Sequence, residues 1–212
     1  MRTKLVTIRF SHFNEKARWA LDRFGVPYDE EGWLPGFHVY GVLKLAPRHG
    51  LGRRDAHATR FGTPVMVTPE GQCIRDSAAI VRYVSDRYAG PGEGLYPTTE
   101  VADLEASFSD LGAHTRRFAY FYLLGDRTGL GRVAEANAGP REAAWFKRVL
   151  PVVTTMIARG LRVTPKGAAR SLEKLRATMD AVSRRVDGRR YLVGDRFTAA
   201  DLAFACMTAP LL

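Results

Sequence analysis

Apolar positions along the first ninety residues switch between two periods. Lys4-Leu5-Val6-Thr7-Ile8 is rich in β-formers and predicts a strand. Over residues 14–24 the apolar side chains Ala17, Ala20, Leu21 and Phe24 recur at helical spacing, and Gly25 followed by Pro27 stops that helix. Residues 28–33 predict a second strand and residues 37–45 a short helix. The stretch 47–62 is polar, rich in Gly and Arg, and is expected to be mobile. Pro64-Val65-Met66-Val67-Thr68, the turn Pro69-Glu70-Gly71 and Gln72-Cys73-Ile74-Arg75 predict strand, turn and strand. Residues 76–88 then return to helical spacing, with Ile80, Val81, Tyr83 and Val84 on one face.

Ala89-Gly90-Pro91-Gly92-Glu93-Gly94 is a linker by composition, and every later segment reads as helix. Leu104, Phe108, Leu111, Thr115, Phe118, Tyr122 and Leu123 form one long stripe. A second helix over 143–157 carries Pro151, which is expected to kink it. Leu172, Leu175, Met179, Val182 and Val186 mark a third. A last helix opens at Phe197-Thr198-Ala199-Ala200-Asp201, a capping box with Thr198 as N-cap. The order βαβαββα, with a mixed four-stranded sheet, is the outline of a thioredoxin-like domain. The expected organisation is an α/β thioredoxin-like domain over 1–88, a linker over 89–99 and an all-α domain over 100–212.

Composition narrows the classes without choosing among them. With 46% hydrophobic, 25% charged and 10% aromatic residues, the chain has globular averages. No window reaches the ~18 uninterrupted apolar residues of a membrane span, and the N-terminus lacks a secretory signal. Cytoplasmic placement is expected, with no membrane partner. The formal charge of +10 divides into 14 basic and 10 acidic residues over 1–97, and 18 and 12 over 98–212. That even split, without a basic tail, argues against a nucleic-acid partner. Cys73 and Cys206 form no CxxC, and the five histidines show no ligand spacing, so neither a disulfide framework nor a metal site is expected.

Four local features carry candidate chemistry. Ser11 sits where a strand turns into a helix, and reads either as an N-cap or as a hydroxyl placed to stabilise a developing anion. Thr63-Pro64 opens a strand, where a trans bond is the default. Asp76-Ser77 starts a helix, either as a cap or as an anchor for a charged ligand. Arg116-Arg117-Phe118-Ala119-Tyr120-Phe121-Tyr122 is dense in aromatics. The core stripe accounts for Phe118 and Tyr122, whereas Tyr120 and Phe121 lie off it and suit an apolar cleft or a partner.

Taken together, these segments resemble the soluble glutathione transferase superfamily. Phe10-Ser11-His12-Phe13-Asn14-Glu15-Lys16-Ala17-Arg18 is similar to its serine-type members, which carry a hydroxyl after the first strand and an arginine seven residues on. Thr63-Pro64-Val65-Met66-Val67 resembles the family's segment with a cis-proline before the third strand. Asp76-Ser77-Ala78-Ala79-Ile80 is similar to its acidic-Ser pair, Leu95-Tyr96-Pro97 to the end of its interdomain linker, and residues 191–201 to its capping box and hydrophobic staple.

The resemblance implies roles. Ser11 would be catalytic, donating a hydrogen bond to the thiol sulfur of glutathione, the co-substrate, with no permanently bound cofactor. Phe13, Thr63, Pro64, Asp76 and Ser77 would bind the tripeptide. Thr63 would pair its backbone with the cysteinyl unit, and Asp76 and Ser77 would hold the γ-glutamyl amine and carboxylate. Arg18 would be structural. His12, His114, Phe118 and Tyr122 are the candidates for a hydrophobic second substrate. The implied activity joins glutathione to a hydrophobic electrophile in a homodimer. A non-catalytic carrier and a thiol–disulfide enzyme are the competing classes, and another low-molecular-weight thiol is a competing substrate. Family members continue through another helix or two beyond the point matching Leu212, so further helices, or a more open cleft, are expected.

Overall fold

The structure is a computed structural model that describes residues 2–49 and 61–212. Two compact units divide it, Met1–Pro97 and Thr98–Leu212.

The first unit runs β1 (Thr3–Ile8), α1 (His12–Arg23), β2 (Tyr28–Trp33), α2 (His38–His49), β3 (Val65–Val67), β4 (Cys73–Arg75) and α3 (Ser77–Tyr88). The strands lie in the order β2-β1-β3-β4, with β1 parallel to β2 and antiparallel to β3, and β3 antiparallel to β4. This is the expected mixed four-stranded thioredoxin-like sheet. Side-chain alternation along β1 splits its faces. Thr7 faces α1, where its hydroxyl meets Arg18. Val6 points the other way, into a cluster with Val42 of α2 and Val65 of β3. On that face α2 approaches so closely that a Cβ at Gly41 would lie 2.5 Å from Trp33 Nε1 and 3.1 Å from Val6 Cγ1.

Local chemistry fixes the element ends. Gly25, at φ +62°, lets its N–H reach Asp22 O while Val26 N–H reaches Leu21 O, which closes α1. Gly71, at φ +88°, turns β3 into β4, and Thr68 Oγ1 accepts from Gln72 N–H across that turn. The predicted short helix is longer than expected, taking in residues 47–49. The rest of the stretch expected to be mobile lies, except for 61–62, outside the described residues.

The second unit contains α4 (Thr99–Leu123), α5 (Arg127–Asn137), α6 (Pro140–Gly160), α7 (Pro165–Arg185), α8 (Ala199–Thr208) and a closing 3-10 turn at Ala209–Leu211. The core face of α4 consists of Val101, Glu105, Phe108, Leu111, Gly112 and Thr115, with Phe108 packed 5.2 Å from Phe204 of α8. The stripe read from the sequence is therefore too long, because Tyr122, one turn past Phe118, is 65% exposed. Helix α5 was not expected as a separate element. Asp126 caps it by accepting from Gly129 N–H at 2.8 Å, and Gly131 lets Lys147 of α6 approach. Pro151 does not end α6, which continues to Gly160. The capping box forms around Asp201, which accepts from Thr198 N–H and Oγ1 at 2.8 and 2.7 Å, and from Leu192 N–H at 2.8 Å.

Candidate functional site

Strand directions decide which candidate residues meet. Because β3 runs antiparallel to both β1 and β4, those two strands point the same way, and the register Val6–Val65–Arg75 aligns them. The C-terminal ends of β1 and β4 and the N-terminal end of β3 thus share one sheet edge. That edge receives Ser11, which precedes α1, Thr63-Pro64, which precedes β3, and Asp76-Ser77, which opens α3. A parallel β2 brings the start of α2 to it as well. The Thr63–Pro64 bond is cis.

Both helix starts leave their capping side chains unused. Ser11 occupies the N-cap of α1 in extended geometry, with φ −84° and ψ 122°, and its N–H reaches Ile8 O, but its hydroxyl makes no capping hydrogen bond. Asp76 occupies the N-cap of α3 with φ +75°, also without a side-chain cap. A positive φ is unfavourable for aspartate and typically costs about 1–3 kcal/mol, and capping ordinarily explains such residues. Among the described residues the carboxylate receives only a 3.4 Å bond, from the buried Ser77 Oγ. Two helix N-termini at one edge, each with its positive dipole end uncapped by a side chain, favour an anionic ligand.

Asn14, which the sequence offers only as the alternative to Ser11, ties the edge together. It is fully buried, and its Nδ2 donates to Ile8 O and to Thr63 Oγ1, both at 3.3 Å, while its Oδ1 has no partner among the described residues. One amide thereby joins the end of β1, the first turn of α1 and the residue before Pro64. A polar residue one turn before Ala17 and two before Leu21, in a slot the helical period assigns to the core, was the available signal. His38 went unnoticed. Its Nδ1 accepts from Gly36 N–H at 3.1 Å and the ring bonds the Phe61 backbone, while burial pushes its pKa below the usual histidine value. Phe13 is half-buried, with the buried His12 ring 4.5 Å away.

Arg18 holds the frame, as the resemblance implies. Its guanidinium donates to Glu30 of β2 at 2.7 and 2.9 Å, to Glu15 at 2.6 Å and to Arg9 O at 2.9 Å. Burial disfavours the Glu30 carboxylate, but Arg18 and the Thr7 hydroxyl outweigh it and hold the pKa below the ordinary value of 4.5. Glu30 therefore contributes stability above about pH 4.5 that is lost as pH falls through its lowered pKa. Arg18→Met is expected to cost about 2 kcal/mol, toward the low side for a buried pair because both side chains keep some exposure. Urea unfolding checks this. The gap from the parent must narrow in acid, where Glu30 is neutral, and an equal gap at both pH values would refute the account.

In the helical unit, His114 faces Ser171 of α7, with Nδ1 3.2 Å from Oγ, and Arg117 donates to that same hydroxyl and to Leu161 O. The His114 ring thus stands in an interhelical contact. Burial, then Arg117 and Lys174, push its pKa down. Phe118 and Tyr122 pack edge to face at 5.3 Å, and Phe121 lies 5.2 Å from Tyr122. Among the described residues no group of His, Cys, Asp or Glu could hold a metal ion, and no helix is long and apolar enough to cross a membrane.

Residues 10–87 match the profile of the glutathione S-transferase N-terminal domain, and residues 165–211 that of its C-terminal domain. No curated protein matches the chain. A glutathione S-transferase of Ceriporiopsis subvermispora, solved with glutathione, aligns over 99% of this chain and 86% of its own at 21% identity and a TM-score of 0.63. Glutathione transferase F2 of Populus trichocarpa aligns over 99% and 81% at 17% identity and 0.63. A transferase of Phanerochaete chrysosporium, solved with oxidised glutathione, aligns over 98% and 78% at 16% and 0.60. Likeness at these identities is one of fold. With a thioredoxin-like sheet leading into a helical unit, and family profiles matching more than half of the sequence, this chain belongs to the glutathione S-transferase superfamily.

Proposed function

We propose that the chain is a glutathione transferase that joins the thiolate of glutathione to a hydrophobic electrophile. The observation that carries this reading is the sheet edge where Ser11 and Asp76 open two helices without capping them. Ser11 Oγ donates to the sulfur and favours its anion. Asp76 and Ser77 hold the γ-glutamyl amine and carboxylate, the Thr63 backbone before Pro64 pairs with the cysteinyl unit, and Phe13 packs against the tripeptide. In the reaction the sulfur forms a bond to the electrophilic carbon, the leaving group departs with its electron pair, and the thiol proton passes to solvent. Phe118 and Tyr122 are assigned to apolar contact with the electrophile. His12 and His114 hold the lesser claim, one buried beside Phe13 and the other engaged with Ser171.

A serine at position 11 disfavours thiol–disulfide exchange, because a hydroxyl cannot form the mixed disulfide. A binding screen against several cellular thiols, followed by turnover with a panel of electrophiles, tests the proposal. Saturable glutathione binding together with conjugation supports it. Binding without conjugation of any electrophile makes the protein a carrier, and preference for another thiol replaces the co-substrate. The protein is further proposed to act in the cytoplasm as a homodimer built on α3 and α4. A sedimentation-equilibrium mass of 23.6 kDa, that of one chain, would defeat the dimer.

A further inference from the structure

The chain's net charge is concentrated more sharply than its halves suggest. Residues 141–190, which include nearly all of α6 and the whole of α7, hold 13 basic and 4 acidic residues, a net +9 of the total +10. Helix α6 buries Ala143, Phe146 and Leu150. On its outward side Trp145, Val152 and Met156 are 63%, 63% and 69% exposed, and the half-buried Val149 lies between them. Their spacing of four, three and four residues makes a single apolar stripe along three turns. Arg141, Arg148 and Arg159 are all exposed and lie roughly 40–60° to one side of that stripe. None of the three pairs with a carboxylate among the described residues.

We propose that this face of α6 is a docking surface for an anionic lipid bilayer, with the apolar stripe in the headgroup boundary and the arginine row on the phosphates. Amphipathic helices that lie in a membrane surface have such a build, basic residues beside an apolar strip and tryptophan at its margin. Charge complementarity selects the occupant. Nucleic acid would neutralise the arginines but leave Val152 and Met156 against water. A second copy packed antiparallel about a two-fold axis would set one arginine row against the other. An anionic bilayer satisfies both halves of the face. Lack of a spanning helix does not bear on this mode, since the helix lies on the surface. The proposal departs from the expectation of no membrane partner, which rested on the lack of a spanning segment.

Co-sedimentation of the full chain with phosphatidylcholine vesicles, and with equimolar phosphatidylcholine and phosphatidylglycerol, tests the proposal without reference to the thiol site. The expected result is salt-sensitive binding to the anionic vesicles alone. Each of Arg141→Gln, Arg148→Gln and Arg159→Gln should weaken it about fivefold, and the three together about a hundredfold. Val152→Ser and Met156→Ser should each weaken it about tenfold. All five positions are exposed on α6, Arg141 and Arg159 in its end turns, and circular dichroism of each variant confirms the fold. Equal binding to both vesicle types overturns the proposal, as does no binding to either. Undiminished binding of the folded serine variants also overturns it, since the stripe would then play no part. Duplex DNA that displaces the vesicles yet binds the serine variants fully makes the face a nucleic-acid surface. Loss of a dimer in the serine variants makes it a contact between copies.

Discussion

Ser11→Ala is expected to lower the conjugation rate about a hundredfold near neutral pH while changing glutathione affinity only about threefold or less. A free thiol with a pKa near 9 is mostly protonated at neutral pH, and lowering it by ~2 units corresponds to about 2.7 kcal/mol of preferential thiolate stabilisation. One hydrogen bond to an anion supplies ~1.5–3 kcal/mol, and the uncapped N-terminus of α1 adds to it. The tripeptide's other contacts are made elsewhere on the edge, so binding survives and reactivity does not. The loss should shrink at high pH, where the thiolate forms unaided, and a pH–rate profile of both proteins measures it. An alanine variant with parental turnover at about pH 6.5 ends the serine mechanism. The role then passes to Asn14, whose buried amide stands in the first turn of the same helix.

The second large effect concerns anchoring. Asp76→Gly combined with Ser77→Ala is expected to raise the dissociation constant for glutathione by about tenfold or more, because each lost hydrogen bond to a charged group costs ~1.5–3 kcal/mol. Glycine at position 76 separates two explanations that alanine would confound. Asp76 holds φ +75°, a region glycine enters without strain, so the single Asp76→Gly variant should melt no lower than the parent. A capping aspartate would show the opposite pattern, with lower thermal stability and unchanged affinity. Calorimetric titration and thermal unfolding on the same variants decide between them.

Candidates were legible where a strand handed over to a helix, because such junctions are marked by local residues. Ser11, Thr63-Pro64 and Asp76-Ser77 were all found at the sheet edge where strand directions place them. The sheet itself followed from short β-rich runs and one tight turn. What stayed hidden depended on distant partners. Asn14 acquires its importance from Thr63, forty-nine positions away, and Glu30 from Arg18 on another element. Helix α5 was masked by Gly129 and Gly131, which lower helical propensity but serve its cap and its approach to α6. The α4 stripe was overextended because periodicity cannot report where packing stops. Its core face ends at Thr115, well before the last turn of the helix.

The close approach at Gly41 carries an evolutionary consequence. Position 41 holds no side chain because the Trp33 ring fills that space, with its buried Nε1 lacking a partner among the described residues. The two sites are therefore one steric unit shared between the end of β2 and the first turn of α2. A methyl group at 41 would drive the indole off Val6, whereas a smaller side chain at 33 would make room for it. Among descendants of this chain the two positions should drift as a pair. Glycine at 41 would be fixed wherever tryptophan persists at 33, and released only in lineages that have lost it.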